Sequence, residues 1–344
     1  MIDDIFAMAL AKAASEGGTG TDVLPQNYLY VGKNGNDSAG NGSANKPYLT
    51  IQKAITSANS GTTIFVFPGT YSESLTFKAG VNITSPAKFS VYITGNHTAN
   101  YSGTIIVENI VLQSSTGITL NFTGTNSQNF QLLASSVNSG SGDAINWSNS
   151  NSGSRIYFED GTSNVTTSGA TARCFYSTTG AAGSFIANRT TFRINNANNV
   201  CLAIGGAISY THTADVITGQ VTVSDTSSAT ISNVSMTTTS VPVLATTSSG
   251  NTTVLQIIAT TTSTPAFSGT GVLLYMAIIY GSTGVSGAAT LSGGAGAIPL
   301  QMAPFSLRAG ALTTGITNGK FEFDGTDLYF SKNNARYKVT MTSV

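Results

Sequence analysis

Charge is what this sequence has least of. Lys and Arg number 15, Asp and Glu 15, and together they make up 9% of 344 residues with zero formal net charge. Soluble domains are typically about one quarter charged, so this surface has to be covered by Ser, Thr, Asn, Gly and backbone. With no basic run there is no electrostatic footprint for nucleic acid and none for an anionic membrane surface. Long apolar runs are missing too. The longest, Val272 to Tyr280, is under half of a bilayer span, so no transmembrane helix is expected. A signal peptide would open with Lys or Arg, whereas Asp3 and Asp4 stand there, which argues against export. Two cysteines, Cys174 and Cys201, are too few for a disulfide framework and fit a reducing compartment.

What is present falls into three stretches. In Ile2 to Ala14 the side chains Ile2, Ile5, Phe6, Ala9 and Ala13 recur at helical spacing, with the acidic pair in the first turn where the helix dipole favours it. A glycine-rich tether, Glu16 to Thr21, follows. A helix of about four turns isolated by glycines is not stable alone, so it either packs back on the body or docks on a partner, and docking through Ile2, Ile5, Phe6, Ala9 and Leu10 is the expectation. From Asn27 the texture changes. Tyr28 to Val31 reads as a strand, Gly32 to Ala44 as a turn-rich loop, and Pro47 to Ala58 as a short helix whose apolar face is Leu49, Ile51, Ala54, Ile55 and Ala58. Ile64 to Phe67 is a strand stopped by Pro68-Gly69. Further short strands are expected at Val81–Thr84, Val91–Thr94, Thr104–Val107 and Ile118–Phe122.

The run Tyr30-Val31, Asn34-Gly35-Asn36-Asp37, Gly40-Asn41-Gly42-Ser43, Pro47 to Ile55, Gly61 and Ile64 to Tyr71 resembles the N-terminal end of the pectate-lyase-like right-handed parallel β-helix superfamily. The resemblance implies that the helix caps the open end of a coil stack and that the Val66-Phe67-Pro68-Gly69-Thr70-Tyr71 strand begins the first coil. It covers about a fifth of the chain. The rest agrees in texture: short Val/Ile/Leu/Phe segments such as Phe130–Leu133, Ile156–Phe158 and Val221–Val223 are separated by Ser, Thr, Asn and Gly. Each such coil is too small to bury its own apolar face and must stack on neighbours. The interval between Cys174 and Cys201 is near the length of one coil in this superfamily, so they are expected as stacked buried thiols. The tail differs again. Lys320 to Thr342 alternates apolar and polar residues around Asp324-Gly325 and Asn333-Asn334, a hairpin pattern. Phe321 to Phe330 with Arg336-Tyr337 resembles a short β module at the C-terminal ends of tailed-phage fibre and appendage proteins.

Many proteins with this fold cleave polysaccharides, and glycoside hydrolysis needs two carboxylates about 5 to 9.5 Å apart. Carboxylates are scarce here. Between Tyr101 and Gly319 they are Glu108, Asp143, Glu159, Asp160, Asp215 and Asp225, and from Thr226 to Leu307 there is no charged residue and no histidine. Glu159 and Asp160 are adjacent, which in a strand sends them to opposite faces, and Gly161 makes Asp160 a turn residue. Asp215 and Asp225 meet only if coils stack them. His97 and His212 lack partners at metal-ligand spacing and are expected as exposed polar residues. No Gly-x-Ser-x-Gly elbow occurs. Asn34 to Asp37 lacks the acidic positions of a calcium loop and is expected as an Asx turn. Trp147, between Asp143 and Asn149, has the setting of an indole that grips a sugar ring, with Tyr157 as companion.

The expected architecture is therefore all-β: an anchor helix and tether (1–20), a right-handed parallel β-helix body with its cap near 47–58 (21–300), and a C-terminal β-hairpin module (301–344). That layout, with the resemblance at both ends, points to a virion fibre or spike of a tailed bacteriophage. Its expected partners are capsid or tail proteins through the N-terminal segment, two further copies in a homotrimer, and host glycans, with the apolar run Gly271 to Tyr280 expected as the trimer contact or the final coil. Neither cofactor nor metal is expected. A β-helix polysaccharide depolymerase is the alternative.

Overall fold

The computed structural model describes residues 27–166 and 171–246, and beyond these a set of strands: Thr252–Thr260, Phe267–Ser268, Val272–Leu274, Ala277–Tyr280, Leu291–Ser292, Phe321–Phe323, Leu328–Lys332 and Ala335–Val339. The expected anchor helix lies outside the described residues. The chain separates into two compact units, Met1–Pro299 and Leu300–Val344.

The first unit is a right-handed parallel β-helix. Every strand pair described in it is parallel, and one coil follows the next at an interval that varies along the chain: His212 pairs with Ile231, a short coil, and Phe158 with Ala187, a longer one. Among the described residues the strands form one 18-stranded sheet, folded into two faces at a corner, and a separate 9-stranded sheet that makes the third face. Short strands suffice because each needs only to cross one face of a coil. Alternation then sends every second residue inward. Along the third face the inward column runs His97, Leu120, Ile145, Phe175, Leu202, Val221, Leu244. Along the first it runs Val107, Leu132, Phe158, Ala187, His212, Ile231. These residues are buried, and each fully buried Phe, Leu or Ile stabilises the column by roughly 1.5–3 kcal/mol. Outward positions carry polar ladders instead. Asn146 Nδ2 donates to Asn121 Oδ1 (2.7 Å), and Asn164 Nδ2 to Asn138 Oδ1 (3.0 Å).

The column is plugged at its N-terminal end by helix α1, Ile51–Ser57, which buries Ile51, Ala54 and Ile55. Leu49, expected on that apolar face, precedes the helix and is 39% exposed. The segment before α1 is extended because Thr50 is its N-cap, with the Thr50 hydroxyl accepting from Lys53 N–H (3.3 Å). Two carboxylates hold this end. Asp37 accepts from Leu49 N–H, Thr50 N–H and the Thr50 hydroxyl, while Asn36 closes the expected Asx turn by accepting from Ser38 and Ala39 N–H. Glu73, from the next coil, gives one oxygen to Ile51 N–H (2.9 Å) and the other to Gln52 N–H (2.8 Å). Removing that carboxylate leaves two helix N–H groups without acceptors. Glu73→Ala should therefore cost about 1–2 kcal/mol, read as a lowered urea midpoint, with Glu73→Gln recovering only part of the loss.

The run Gly271 to Tyr280 contributes two coil strands, Val272–Leu274 and Ala277–Tyr280, both paired with Thr252–Thr260. In the second unit three antiparallel strands form a meander, Phe321 opposite Phe330 and Phe330 opposite Tyr337. The turn residues Asp324-Gly325 and Asn333-Asn334 lie outside the described residues.

Candidate functional site

From Asn109 onward the chain passes from the first face to the second through corners of at most two residues. At several of them the backbone is left-handed: Asn109 (φ 60°), Ala134 (φ 48°), Asp160 (φ 52°), Arg189 (φ 47°) and Asn233 (φ 54°). The corners stack, since Asn109 N–H donates to Leu133 C=O, Ala134 to Glu159, Asp160 to Asn188 and Arg189 to Thr213. Asn and Asp tolerate this conformation, but for arginine it costs about 1–2 kcal/mol. Such strain persists where surrounding contacts over-determine it, and Arg189 has them. Its guanidinium reaches Glu159 Oε1 (2.5 Å) and both oxygens of Asp160 (2.6 and 3.0 Å).

Around this ion pair a polar cluster opens to solvent. Tyr157 O–H donates to Glu159 Oε2 (2.6 Å), Asn188 Nδ2 donates to the Tyr157 oxygen (3.3 Å), and the Lys88 ammonium donates to the Asp160 carbonyl. Lys88 also lies over the ring of its exposed neighbour Phe89. Arg189 is 58% exposed, Asp160 50% and Glu159 26%. The hydrogen bonds from Arg189 hold the Asp160 carboxyl below its ordinary range, and the bond to Glu159 raises the Tyr157 phenol. A general acid needs a raised carboxyl pKa; Asp160 is tuned the other way. The cluster offers hydrogen-bond acceptors, a phenol and an exposed ring, which is equipment for binding a hydroxyl-rich ligand.

The two residues expected to share a sugar site are apart. Tyr157 stands outward on the first face, half-buried, but Trp147 is 1% exposed inside the third. Its indole packs against Phe122 and Phe175, and Nε1 donates to Asn149 C=O (3.0 Å). Asn146 takes the outward position, so strand alternation turns Trp147 in. The polar neighbours that suggested exposure are themselves enclosed, Asn149 fully and Asp143 and Asn146 nearly so. Contact between Trp147 and glycan is thereby corrected.

The histidines are corrected in the same direction: His97 and His212 are both 0% exposed. His97 Nδ1 accepts from Leu75 N–H (3.1 Å). His212 has a carbonyl, Thr190 C=O, at Nε2 (2.9 Å), which can only accept, so the proton sits on Nε2 and Nδ1 accepts from Tyr210 O–H (3.0 Å). Burial pushes both imidazoles down to about 4.

Three of the remaining carboxylates, Asp143, Glu108 and Asp225, are tied into the coils. Asp143 is clamped by Arg173 through Nε (3.0 Å), Nη2 (3.1 Å) and the backbone N–H (2.9 Å), and the guanidinium stacks 3.6 Å from the Tyr176 ring centroid. Sequence reasoning missed this rung. Its signal was available: Asp143-Ala144-Ile145-Asn146-Trp147 and Arg173-Cys174-Phe175-Tyr176-Ser177 occupy equivalent places one coil apart. Glu108 accepts from the Thr84 hydroxyl (3.1 Å) and Asp225 from Gly206 N–H (2.8 Å). Asp215 stands within the long strand Ala207–Thr218, in register with Val234, whereas Asp225 follows the third-face strand Gln220–Val223. Among the described residues no three His, Cys, Asp or Glu side chains group to hold a metal ion.

Parallel coils around one apolar column, an N-terminal cap helix and stacked left-handed corners define a right-handed parallel β-helix. Comparisons agree at this level. A family model described as a protein of unknown function (DUF1565) matches residues 33–78, the loop, cap helix and first coil. No curated protein matches the chain. Among solved structures, pectate lyase Pel9A is similar at 12% identity with a TM-score of 0.51, over 74% of this chain and 69% of that one. A carrot pectin methylesterase aligns at 11% identity and TM-score 0.44, over 77% and 85% of the two chains. An alginate lyase of family PL6 aligns at 12% identity and TM-score 0.41, over 81% and 41%. At such identity the lyase likeness shows the fold alone.

Proposed function

We propose that this protein is a structural display shaft, a β-helical fibre or spike on the virion of a tailed bacteriophage, whose outer surface touches host glycans. The observation that carries the reading is how the charged residues are used. Asp37 and Glu73 hold the cap, Asp143 clamps a rung to Arg173, Asp225 closes a turn, and Arg189 ties Glu159 to Asp160 at a corner. Among the described carboxylates of the first unit Asp215 alone has no hydrogen-bond or ion-pair partner, and one free carboxylate falls short of the pair that glycoside hydrolysis needs. The uncharged Asn, Ser and Thr ladders outside suit a surface that meets hydroxyl-rich polymers by hydrogen bonds. In this reading Ile2, Ile5, Phe6, Ala9 and Leu10 anchor the chain to capsid or tail proteins, and three copies associate.

Mass spectrometry of purified particles should find the protein. Deleting residues 1–20 should leave a folded, soluble oligomer absent from particles. On a glycan array, Tyr157→Ala should weaken any binding about tenfold, the loss of one ring contact, while Arg155→Ala on the adjacent outward position should not. Absence from particles would end the virion reading.

A second reading, a polysaccharide depolymerase, is favoured by the fold likeness to pectate lyase and by the Tyr157, Glu159 and Arg189 cluster. Incubation with capsular or polyuronate glycans separates the two. The shaft reading expects no new reducing or unsaturated ends, whereas the enzyme reading expects them and a loss of at least about 100-fold on Glu159→Gln.

A further inference from the structure

Two reduced thiols stand one above the other inside the column. Cys174 immediately precedes the strand Phe175–Ser177, and Cys201 lies in Val200–Ile204, the next strand along the third face. Phe175 is in register with Leu202, and Cys174 N–H donates to Cys201 C=O (2.9 Å), so the cysteines hold the same place on adjacent coils. In both coils two successive side chains are buried, Cys174 with Phe175 and Cys201 with Leu202. A flat strand forbids that; the corner entering the third face allows it. The Cys174 thiol has the Arg193 and Ser163 carbonyls at 3.0 and 3.4 Å. Matching Cα atoms on neighbouring strands are about 4.8 Å apart, inside the window of roughly 4.4–6.8 Å that a disulfide spans.

We infer that Cys174 and Cys201 are a cross-coil disulfide site, closed when the chain meets a small-molecule disulfide such as oxidised glutathione. One cysteine thiolate attacks a sulfur of the oxidant and releases one glutathione thiolate. The second cysteine then attacks the protein-bound sulfur of the mixed disulfide and releases the other. Two protein thiols give up two protons and two electrons, and the oxidant is reduced to two thiols. Both thiols are enclosed in the folded column, out of reach of a dissolved oxidant, and burial pushes the Cys201 thiol well up, so the bond forms while coils are open, during folding. The product staples one coil to the next beside the Tyr210 and His212 pair and closes a loop of one full coil, from Cys174 to Cys201.

The test is refolding of the full chain from urea in a buffer of oxidised and reduced glutathione, against refolding in dithiothreitol. The oxidised sample should lose both thiols to Ellman titration in denaturant, weigh about two mass units less, stay a single chain on a non-reducing gel and yield one peptide pair joining Cys174 to Cys201. Its far-UV spectrum should match the reduced protein, with Tm raised by about 5–10 °C. Cys201→Ser should give only a glutathione adduct at Cys174 and no such rise. Two free thiols in the refolded oxidised protein would overturn the inference, and so would a bonded chain that fails to regain the native spectrum.

Discussion

Acidification from pH 7 to pH 5 should remove about 4 kcal/mol of stability. The source is the two buried imidazoles, held near 4 in the folded chain against about 6.5 when unfolded. Because the folded values are depressed, the unfolded state binds more protons between these limits. The stabilisation is complete above pH 6.5 and disappears as pH falls toward 4. Two structural facts add to the desolvation cost. Protonating His97 would set a ring N–H against the Leu75 N–H that Nδ1 now accepts, and protonating His212 would do the same against the Tyr210 hydroxyl unless it rotated. Urea titrations at pH 7, 6 and 5 measure the effect, and His212→Phe should remove about half of the slope. A midpoint that stayed constant across this range would falsify the assignment of both residues to the interior.

Trp147→Ala should be among the most damaging single substitutions in the column, costing about 3–5 kcal/mol. The indole fills the inward position between Phe122 and Ser177 and touches the aromatic pair Phe122 and Phe175. Alanine would leave a cavity bordered on one side by Gly183, whose backbone (φ 127°) passes so close that a Cβ there would sit 2.8 Å from the indole and 2.4 Å from the Ser154 carbonyl. That close approach leaves the neighbouring coil little room to collapse inward. Trp147→Phe should recover most of the loss, because one six-membered ring returns, while the rest of the indole volume and the bond to Asn149 C=O are given up. Guanidinium unfolding followed by far-UV circular dichroism reads both variants. Glycan binding per folded molecule should be unchanged in Trp147→Phe, whereas a surface role for the indole would make it fall.

Strand positions were legible where apolar and polar residues alternate between glycine or asparagine turns. Tyr28–Val31 and Val91–Thr94 are strands over those residues, and Gln128–Leu133 and Arg155–Glu159 enclose the expected apolar segments. The stacked thiols were legible from a separation close to one coil. The inward histidines and Trp147 were not, since a hydrophobicity pattern assigns a polar or amphipathic residue to solvent unless its partner is known. Those partners, Thr190, Tyr210, Leu75 and Asn149, are brought in mostly by neighbouring coils or by the path of the corner. Coil length itself varies, as the steps from Phe158 to Ala187 and from His212 to Ile231 show, so no fixed period in the chain announces which residues will meet.

By itself the sequence determined the class of solution: apolar ribs too short to exclude water singly, spaced by turn residues and stripped of charge, can be buried only by stacking. It also placed the cap, through the ordered run from Tyr30 to Tyr71. Only the tertiary structure decided which outward residues form a surface and which polar residues are enclosed. Arg189 meets Glu159 and Asp160 from the following coil, and Arg173 meets Asp143 in the same way. Such meetings are set by the register between coils. That register follows from the length of every loop before it, and a residue's near neighbours in the chain do not record it.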